Sequence, residues 1–216
     1  MGSRYHSDRR NSFPHRRLLN RPVRPIIVIV CDDTDTAVNY FNPIKQQYKT
    51  SVTIHVIPAP RDGALPGELL KYADKQRQKH EPDTVWLLLD REIEPQKQQQ
   101  ADKIKKQARP PIHVALSNPC FEVWTLAHFI NTGKTFTSCD DVLKELKSAW
   151  KKEFKQDFPA NKAQADYGKL IPIHLDKAIK HARQQHEAKT STSSWTQIYQ
   201  LIEMILHLHA KSTKQS

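Results

Sequence analysis

The feature that most restricts the possible folds of this chain is a series of four short apolar runs. Each run is followed by a segment that could form a helix. The runs cover residues 26–30, 52–57, 85–89 and 112–116. The segments that we expect to be helical between them cover residues 36–48, 66–80 and 96–108. The first run (IIVIV) and the third (VWLLL) are continuously apolar, which is typical of strands covered on both faces. The order strand, helix, strand predicts an α/β fold with a mostly parallel sheet over residues 26–131.

Beyond residue 131 the pattern changes to amphipathic helices. Apolar residues recur at helical spacing in residues 140–158, 173–186 and 195–209. Ser194 and Gln197 have the spacing of a weak capping box at the start of the last segment, and KTSTSS just before it is the clearest loop. We expect residues 132–216 to form a helical region packed on the sheet.

Positive charge is concentrated near the N-terminus of the chain. Residues 1–25 contain seven arginines and one aspartate, a local charge of +6 out of a total of +11. Guanidinium groups stay charged and grip phosphate in two places, so this basic arm, which includes Arg16 and Arg17, suits a nucleic-acid backbone. A solvated tail that keeps the protein soluble explains the same composition equally well.

The composition argues against several classes of protein. The longest apolar runs are far shorter than the roughly 18 residues of a membrane-spanning helix, and no hydrophobic stretch directly follows the basic start. The three cysteines show no CxxC spacing, and the eleven histidines form no HExxH or zinc-finger pattern. The sequence therefore predicts a soluble, cytoplasmic protein without a membrane partner or structural zinc, and it leaves the oligomeric state open.

Acidic and polar side chains follow the predicted strands where each strand ends. They are Asp32, Asp33 and Asp35 after the first run, Asp62 after the second, Asp90 and Glu92 after the third, and Ser117, Asn118 and Glu122 after the fourth. Because ligand sites of open α/β sheets lie at the carboxyl edge, we expect these side chains to converge there. Converging carboxylates repel one another, and a hard cation such as Mg²⁺ or Mn²⁺ relieves that repulsion. In an extended segment residues two apart point to the same side, so Asp90 and Glu92 can face one ion.

Single acidic residues also have a simpler explanation. Acids after strands often cap the next helix or favour its N-terminus, which is enough to explain Asp33, Asp35 or Glu122 taken alone. For Asp32, Asp90 and Glu92 together at one edge, we favour a metal site of the kind that activates water in phosphodiester cleavage.

A rival enzymatic interpretation centres on Cys120. If Pro119 begins a helix, Cys120 lies in its first turn, where the helix dipole lowers the pKa of a thiol. His128 or His113 would then be the base. His128 is more simply explained as a packed, hydrogen-bonded histidine, so we rank this interpretation below the metal site.

Three strings in the sequence resemble the RloB-like proteins of bacterial defence and restriction-associated loci. They are IIVIVCDDTDTAVNYF, VWLLLDRE and ALSNPCFEVWTLAHF, of which SNPCFEVW is the most specific. The arginine-rich start, the pair Tyr167 and Lys169, and the final STSSWTQIYQLIEMI also fit this family. The resemblance covers nearly the whole chain in order. It implies a Toprim-like α/β domain, a Rossmann-like arrangement that several defence nucleases share.

Carried over position by position, the resemblance implies a metal site at Asp32, Asp90 and Glu92, with Glu122 as a further ligand or base. We expect substrate contacts from Arg16, Arg17, Arg91, Asn118, Tyr167 and Lys169, with Tyr167 and Lys169 equally explained as residues that only cover the helical region. The resemblance implies a Mg²⁺- or Mn²⁺-dependent nuclease acting on RNA or DNA in anti-phage defence. Its partner would be nucleic acid, and an ATPase encoded nearby is a candidate second partner.

Two positions depart from the family pattern. The expected glutamate-glycine pair after the first strand is Asp32–Asp33 here, a shorter acid followed by a residue without the backbone freedom of glycine. Glu92 stands where aspartate is expected. A catalytically inactive subunit that binds nucleic acid or a partner protein is therefore the alternative.

Overall fold

The computed structural model describes residues 24–190 and 192–214, so Arg16 and Arg17 of the basic arm lie outside the described residues. Five strands in the described part of the chain form one sheet in the order β2-β1-β3-β4-β5. They are β1 (Ile26–Val30), β2 (Thr53–Ile57), β3 (Thr84–Asp90), β4 (Ile112–Asn118) and β5 (Trp195–Thr196). Strands β1 to β4 are parallel, and β5 is antiparallel to β4. The predicted α/β fold with a mostly parallel sheet is confirmed.

Seven α-helices accompany the sheet within residues 24–190 and 192–214. They are α1 (Thr36–Tyr48), α2 (Pro66–His80), α3 (Pro95–Gln107), α4 (Glu122–Ala127), α5 (Cys139–Phe154), α6 (Ile171–Glu187) and α7 (Ile198–Thr213). Two 3-10 turns precede α6, at Lys162–Gln164 and Tyr167–Lys169. The bounds of α1 and α2 are those predicted, and α3 begins and ends one residue before its predicted bounds. None of the described helices is long and apolar enough to cross a membrane.

The sheet is buried on both faces, as its continuous apolar runs predict. In β1, Ile27 and Ile29 belong to a core shared with α1 and the helices α4 to α7. The alternate residues Val28 and Val30 belong to a second core under α2 and α3. Each such side chain stabilises the fold by roughly 1.5–3 kcal/mol when fully buried. Burial of both faces leaves the carboxyl edge of the sheet as the place where polar groups from several strands can meet.

The prediction for the C-terminal region is wrong in detail around Trp195. Residues 195 and 196 are not helical but form β5, because they pair with the end of β4, and α7 begins only at Ile198. The predicted capping box does not form, since Oγ of Ser194 accepts the backbone N–H of Phe136 at 3.1 Å instead. Helix α5 also ends before its predicted bound, where Lys155 adopts a left-handed φ of 55°.

Candidate active site at the carboxyl edge of the sheet

Asp32 and Asp90 lie against each other at the carboxyl edge of the sheet. Asp32 follows β1, and Asp90 is the last residue of the neighbouring parallel strand β3. Oδ2 of Asp32 accepts the backbone N–H of Asp90 at 2.5 Å. Oδ1 of Asp90 in turn accepts the backbone N–H of Phe121, in the segment after β4, at 2.8 Å. The structure therefore brings together two of the predicted site residues, and backbone hydrogen bonds from neighbouring segments hold both carboxylates.

Glu122 supplies the third buried carboxylate of this region. It is the first residue of α4, and only 2% of its side chain is exposed. Its Oε1 lies 2.5 Å from Nζ of Lys162, which belongs to a 3-10 turn 40 residues further along the chain. We refer to Asp32, Asp90 and Glu122 as the acidic cluster.

Burial dominates the electrostatics of the acidic cluster. Burial, with the negative charges of Asp33 and Glu122 acting in the same direction, raises the pKa of Asp32 from 3.8 to about 7, although backbone hydrogen bonds such as the one from Asp90 lower it. Burial also raises the pKa of Asp90 well above its usual value, with the charges of Asp32 and Glu122 acting in the same direction. Ionising both aspartates in this position is costly, and a bound cation or a proton reduces the cost.

Glu92 differs from the arrangement that the sequence predicts. The chain is no longer extended there, because Glu92 adopts a left-handed φ of 55° just beyond β3. Its Oε2 lies 2.7 Å from Nζ of Lys97 in an ion pair that is about half-exposed. Glu92 and Lys97 nevertheless line the same cleft as Asp32 and Asp90. The lining of this acidic cleft includes Asp32, Asp33, Asp90, Glu92, Lys97 and Gln100.

Of the remaining acidic residues after β1 and β2, Asp33 has a clear structural role. Both carboxylate oxygens of Asp33 accept the backbone N–H of Ala37, at 3.2 and 3.1 Å, so Asp33 caps the first turn of α1. The helix-capping explanation thus accounts for Asp33. Asp35 is the N-cap residue of α1 but makes no capping hydrogen bond through its side chain. Asp62 is exposed and accepts a hydrogen bond from the hydroxyl of Thr34 at 3.1 Å.

Sequence reasoning missed the two lysines that neutralise glutamates at this edge, Lys97 and Lys162. Lys97 follows Glu92 closely enough in sequence to suggest an ion pair, whereas nothing local signals the pairing of Lys162 with Glu122. Across residues 24–190 and 192–214, no three histidine, cysteine, aspartate or glutamate side chains are arranged to hold one metal ion. Each of the two glutamates thus forms an ion pair with a lysine, Glu92 with Lys97 and Glu122 with Lys162.

The cysteine interpretation is wrong. Cys120 lies before α4 instead of in its first turn, and a hydrogen bond to the Cys139 thiol together with burial raises its pKa. The ring of His128 lies 3.1 Å from the hydroxyl of Tyr40, and burial lowers the pKa of His128 to about 3. His113 stacks on a tryptophan of β3 at 5.1 Å between ring centroids. A thiol with a raised pKa is not an activated nucleophile.

Tyr167 and Lys169, predicted as substrate contacts, lie in different environments. Tyr167 is buried in the larger core, and its hydroxyl donates to the carbonyl of Lys162 at 2.8 Å. The ammonium group of Lys169 is partly exposed and lies 3.2 Å from Oε1 of Gln156. Burial and its hydrogen bond make Tyr167 a support for the turn that carries Lys162, whereas Lys169 remains accessible to a ligand.

Asn118 and Arg91 lie on the other side of the edge, near β5. Asn118 is buried; its Nδ2 donates to the carbonyl of Ser193 at 2.6 Å, while its Oδ1 has no hydrogen-bond partner among the described residues. The guanidinium of Arg91 forms two hydrogen bonds with the carboxylate of Asp102, at 3.0 and 2.9 Å. Arg91 therefore points away from the acidic cluster although it directly follows Asp90 in the chain.

Comparison with known proteins adds a family assignment. A family model described as RloB-like protein matches residues 27–205, a span that contains the acidic cluster, both lysines and all five strands of the sheet except the first residue of β1. No curated protein and no solved structure matches the chain. The match covers most of the sequence, and the chain therefore belongs to the family of RloB-like proteins.

Proposed function

We propose that this RloB-like protein is a Mg²⁺- or Mn²⁺-dependent nuclease that cleaves RNA or DNA phosphodiesters in bacterial anti-phage defence. The observation that carries the proposal is the burial of Asp32 beside Asp90 at the carboxyl edge of the sheet. Hard divalent cations prefer carboxylate oxygens, and two buried carboxylates of raised pKa gain stability from such an ion. The link to nucleic acid and defence rests on the basic composition and on the family resemblance.

In this proposal Asp32 and Asp90 are the primary ligands of the ion. Glu92, which lines the same cleft, is the candidate third ligand and would exchange its ion pair with Lys97 for the metal. The metal would supply activation of water and neutralisation of phosphate charge. Glu122, buried near Asp90 and paired with Lys162, is the candidate further ligand or base.

Cleavage assays with the full chain test the proposal. Labelled tRNA, single-stranded RNA and duplex DNA are incubated with Mg²⁺ or Mn²⁺ and with wild-type protein or the Asp90→Asn variant. Asp157→Asn is the matched control, because the carboxylate of Asp157 is 81% exposed and lies after α5. We expect metal-dependent cleavage by the wild type and the control but not by Asp90→Asn. Equal cleavage by Asp90→Asn would remove Asp90 from the mechanism.

A catalytically inactive subunit that binds nucleic acid or a partner, such as an ATPase encoded nearby, is the second candidate function. The observation that favours it is the ion pairing of both nearby glutamates, Glu92 with Lys97 and Glu122 with Lys162. Lysines can satisfy such carboxylates permanently, and the Asp32–Asp33 departure from the family pattern points in the same direction.

Metal titration separates the two candidate functions. A ligand that binds only the folded state raises the melting temperature as its concentration increases. We expect Mn²⁺ to stabilise the wild type and to have little effect on a variant carrying Asp32→Asn and Asp90→Asn together. No metal-dependent rise in the wild type, combined with retained binding of nucleic acid, would support the inactive subunit.

A further inference from the structure

A second cleft, rich in positive charge, lies on the opposite side of α3 from the acidic cleft. Helix α3 contributes Lys97 and Gln100 to the acidic cleft, and Asp102 and Lys105 to this second cleft. Its lining also includes Arg91, Lys189, Thr190 and Trp195. We refer to it as the basic cleft. Asp90, the last residue of β3, thus lines the acidic cleft, and the next residue, Arg91, lines the basic cleft.

The side chains of the basic cleft are held around the ring of Trp195. The Cζ atom of Arg91 lies 6.0 Å from the ring centroid, and Nζ of Lys189 lies 5.0 Å from it. Arg91 is further fixed by the two hydrogen bonds to Asp102, and only 17% of its side chain is exposed. Such cation–π contacts and the bidentate pair orient the cations before any ligand binds.

Positive charge in the basic cleft exceeds negative charge. Arg91, Lys105 and Lys189 face one carboxylate, that of Asp102, which Arg91 already occupies. The stem of Lys105 is partly buried, and its ammonium donates to the carbonyl of Val114 at 2.6 Å. Burial and the charge of Lys189 lower the pKa of Lys105 to about 8, as expected for cations that lack a neutralising anion. An anion is the ligand that this arrangement lacks.

From this geometry we infer that the basic cleft binds a phosphate group of a nucleic-acid strand, at a site separate from the acidic cluster; the choice of nucleic acid as the source of the phosphate rests on the proposed function. Trp195 is only 6% exposed and belongs to the second core, so its ring is not open for stacking with a base. Recognition is therefore confined to the phosphate, which offers several oxygens to Arg91, Lys105 and Lys189. Binding in this cleft does not require cleavage, and it holds whether or not the acidic cluster is catalytic.

Two kinds of phosphate have the required chemistry, a terminal monoester and an internal phosphodiester. Calorimetric titration of the full chain in the presence of EDTA measures the binding of three probes. They are inorganic phosphate, a 5′-phosphorylated tetranucleotide and the same tetranucleotide with a 5′-hydroxyl. Tighter binding of the phosphorylated form assigns the cleft to strand ends, and equal binding of both forms assigns it to the backbone. Excess metal chelator keeps the proposed nuclease reaction out of the measurement.

Lys189→Gln and Lys105→Met test the assignment, with Lys152→Gln on α5 as the matched control. Lys189 and Lys152 are both exposed, so neither change threatens the fold. Loss of one charged hydrogen bond weakens binding about tenfold or more, and we expect this for Lys189→Gln but not for Lys152→Gln. The inference is overturned if neither tetranucleotide binds, even where inorganic phosphate does, or if Lys189→Gln binds the probes as tightly as the wild type does.

Discussion

The carboxylate of Asp32 accepts the backbone N–H of Asp90 at 2.5 Å, and this bond joins the ends of two neighbouring parallel strands. The carboxylate of Asp90 in turn accepts the backbone N–H of Phe121 at 2.8 Å, and this second bond joins the end of β3 to the segment after β4. Each aspartate is thus both a candidate metal ligand and an acceptor that the backbone needs. Substitutions at this edge therefore separate chemistry from stability only if they retain an acceptor oxygen.

The first prediction uses this double role of Asp90. Asp90→Asn keeps an oxygen for the N–H of Phe121 and removes a repelled charge, so we expect metal-free stability equal to or above that of the wild type. Asp90→Ala leaves the N–H without its acceptor and should lose about 1–3 kcal/mol. Urea unfolding measures both values, and nuclease activity should fall at least about 100-fold in each variant. Equal stability of the two variants would contradict the structural role of the carboxylate.

The strand ends were predictable because continuous apolar runs mark strands buried on both faces. Asp90 lies at the end of such a run, and the topology of parallel strands then places it beside Asp32. The sequence predicts only that these residues share one edge, because the pairing of β3 with β1 is a long-range property of the fold. The same reasoning failed at Glu92, because it assumed an extended chain, whereas the backbone turns into a left-handed conformation immediately after β3.

Lys162 shows why the remaining part of the site could not be read from the sequence. Its partner Glu122 lies 40 residues away, and their contact depends on the packing of the turn against α1, where Nδ2 of Asn39 donates to the carbonyl of Ala163 at 2.9 Å. The pairing of residues 195 and 196 with β4 could not be predicted from the sequence either, because a strand of two residues is too short to show a periodicity that distinguishes it from a helix.

The second prediction concerns the pH dependence of stability without metal. Burial raises the pKa of Asp32 to about 7, so between pH 4 and 7 the folded state holds a proton that the unfolded state has lost. Stability from this group is therefore present at low pH and is lost as the pH rises towards 7. Asp90 titrates together with Asp32, so the change belongs to the pair.

Asp32→Asn removes this titration and tests the second prediction. The stability of the variant minus that of the wild type should increase from pH 4.5 to pH 8, by an amount on the order of a few kcal/mol. Urea unfolding in EDTA gives the difference, and Asp157→Asn, with its exposed carboxylate, is the control. A difference that does not change with pH would show that Asp32 ionises normally in the folded protein.

The third prediction concerns the ion pair of Lys162 with Glu122. Lys162→Met leaves the carboxylate of Glu122 buried without a counter-charge, and we expect a loss on the order of 2 kcal/mol. The loss is smaller than for a fully buried pair because the side chain of Lys162 is 43% exposed. Adding Glu122→Gln to this variant should restore most of the stability in urea unfolding. A double variant as unstable as Lys162→Met would mean that Lys162 acts through packing rather than charge.

The fourth prediction concerns Lys97, which competes with a metal ion for Glu92. The ion pair is about half-exposed on both sides, so its removal costs the fold little. Lys97→Met removes a positive charge from the acidic cleft and frees Glu92, and we expect Mn²⁺ to bind about two- to fivefold more tightly in calorimetric titration. Adding Glu92→Gln to Lys97→Met should abolish the gain if Glu92 is a ligand. If the gain persists in the double variant, the lysine acts only through its charge and the ion is held without Glu92.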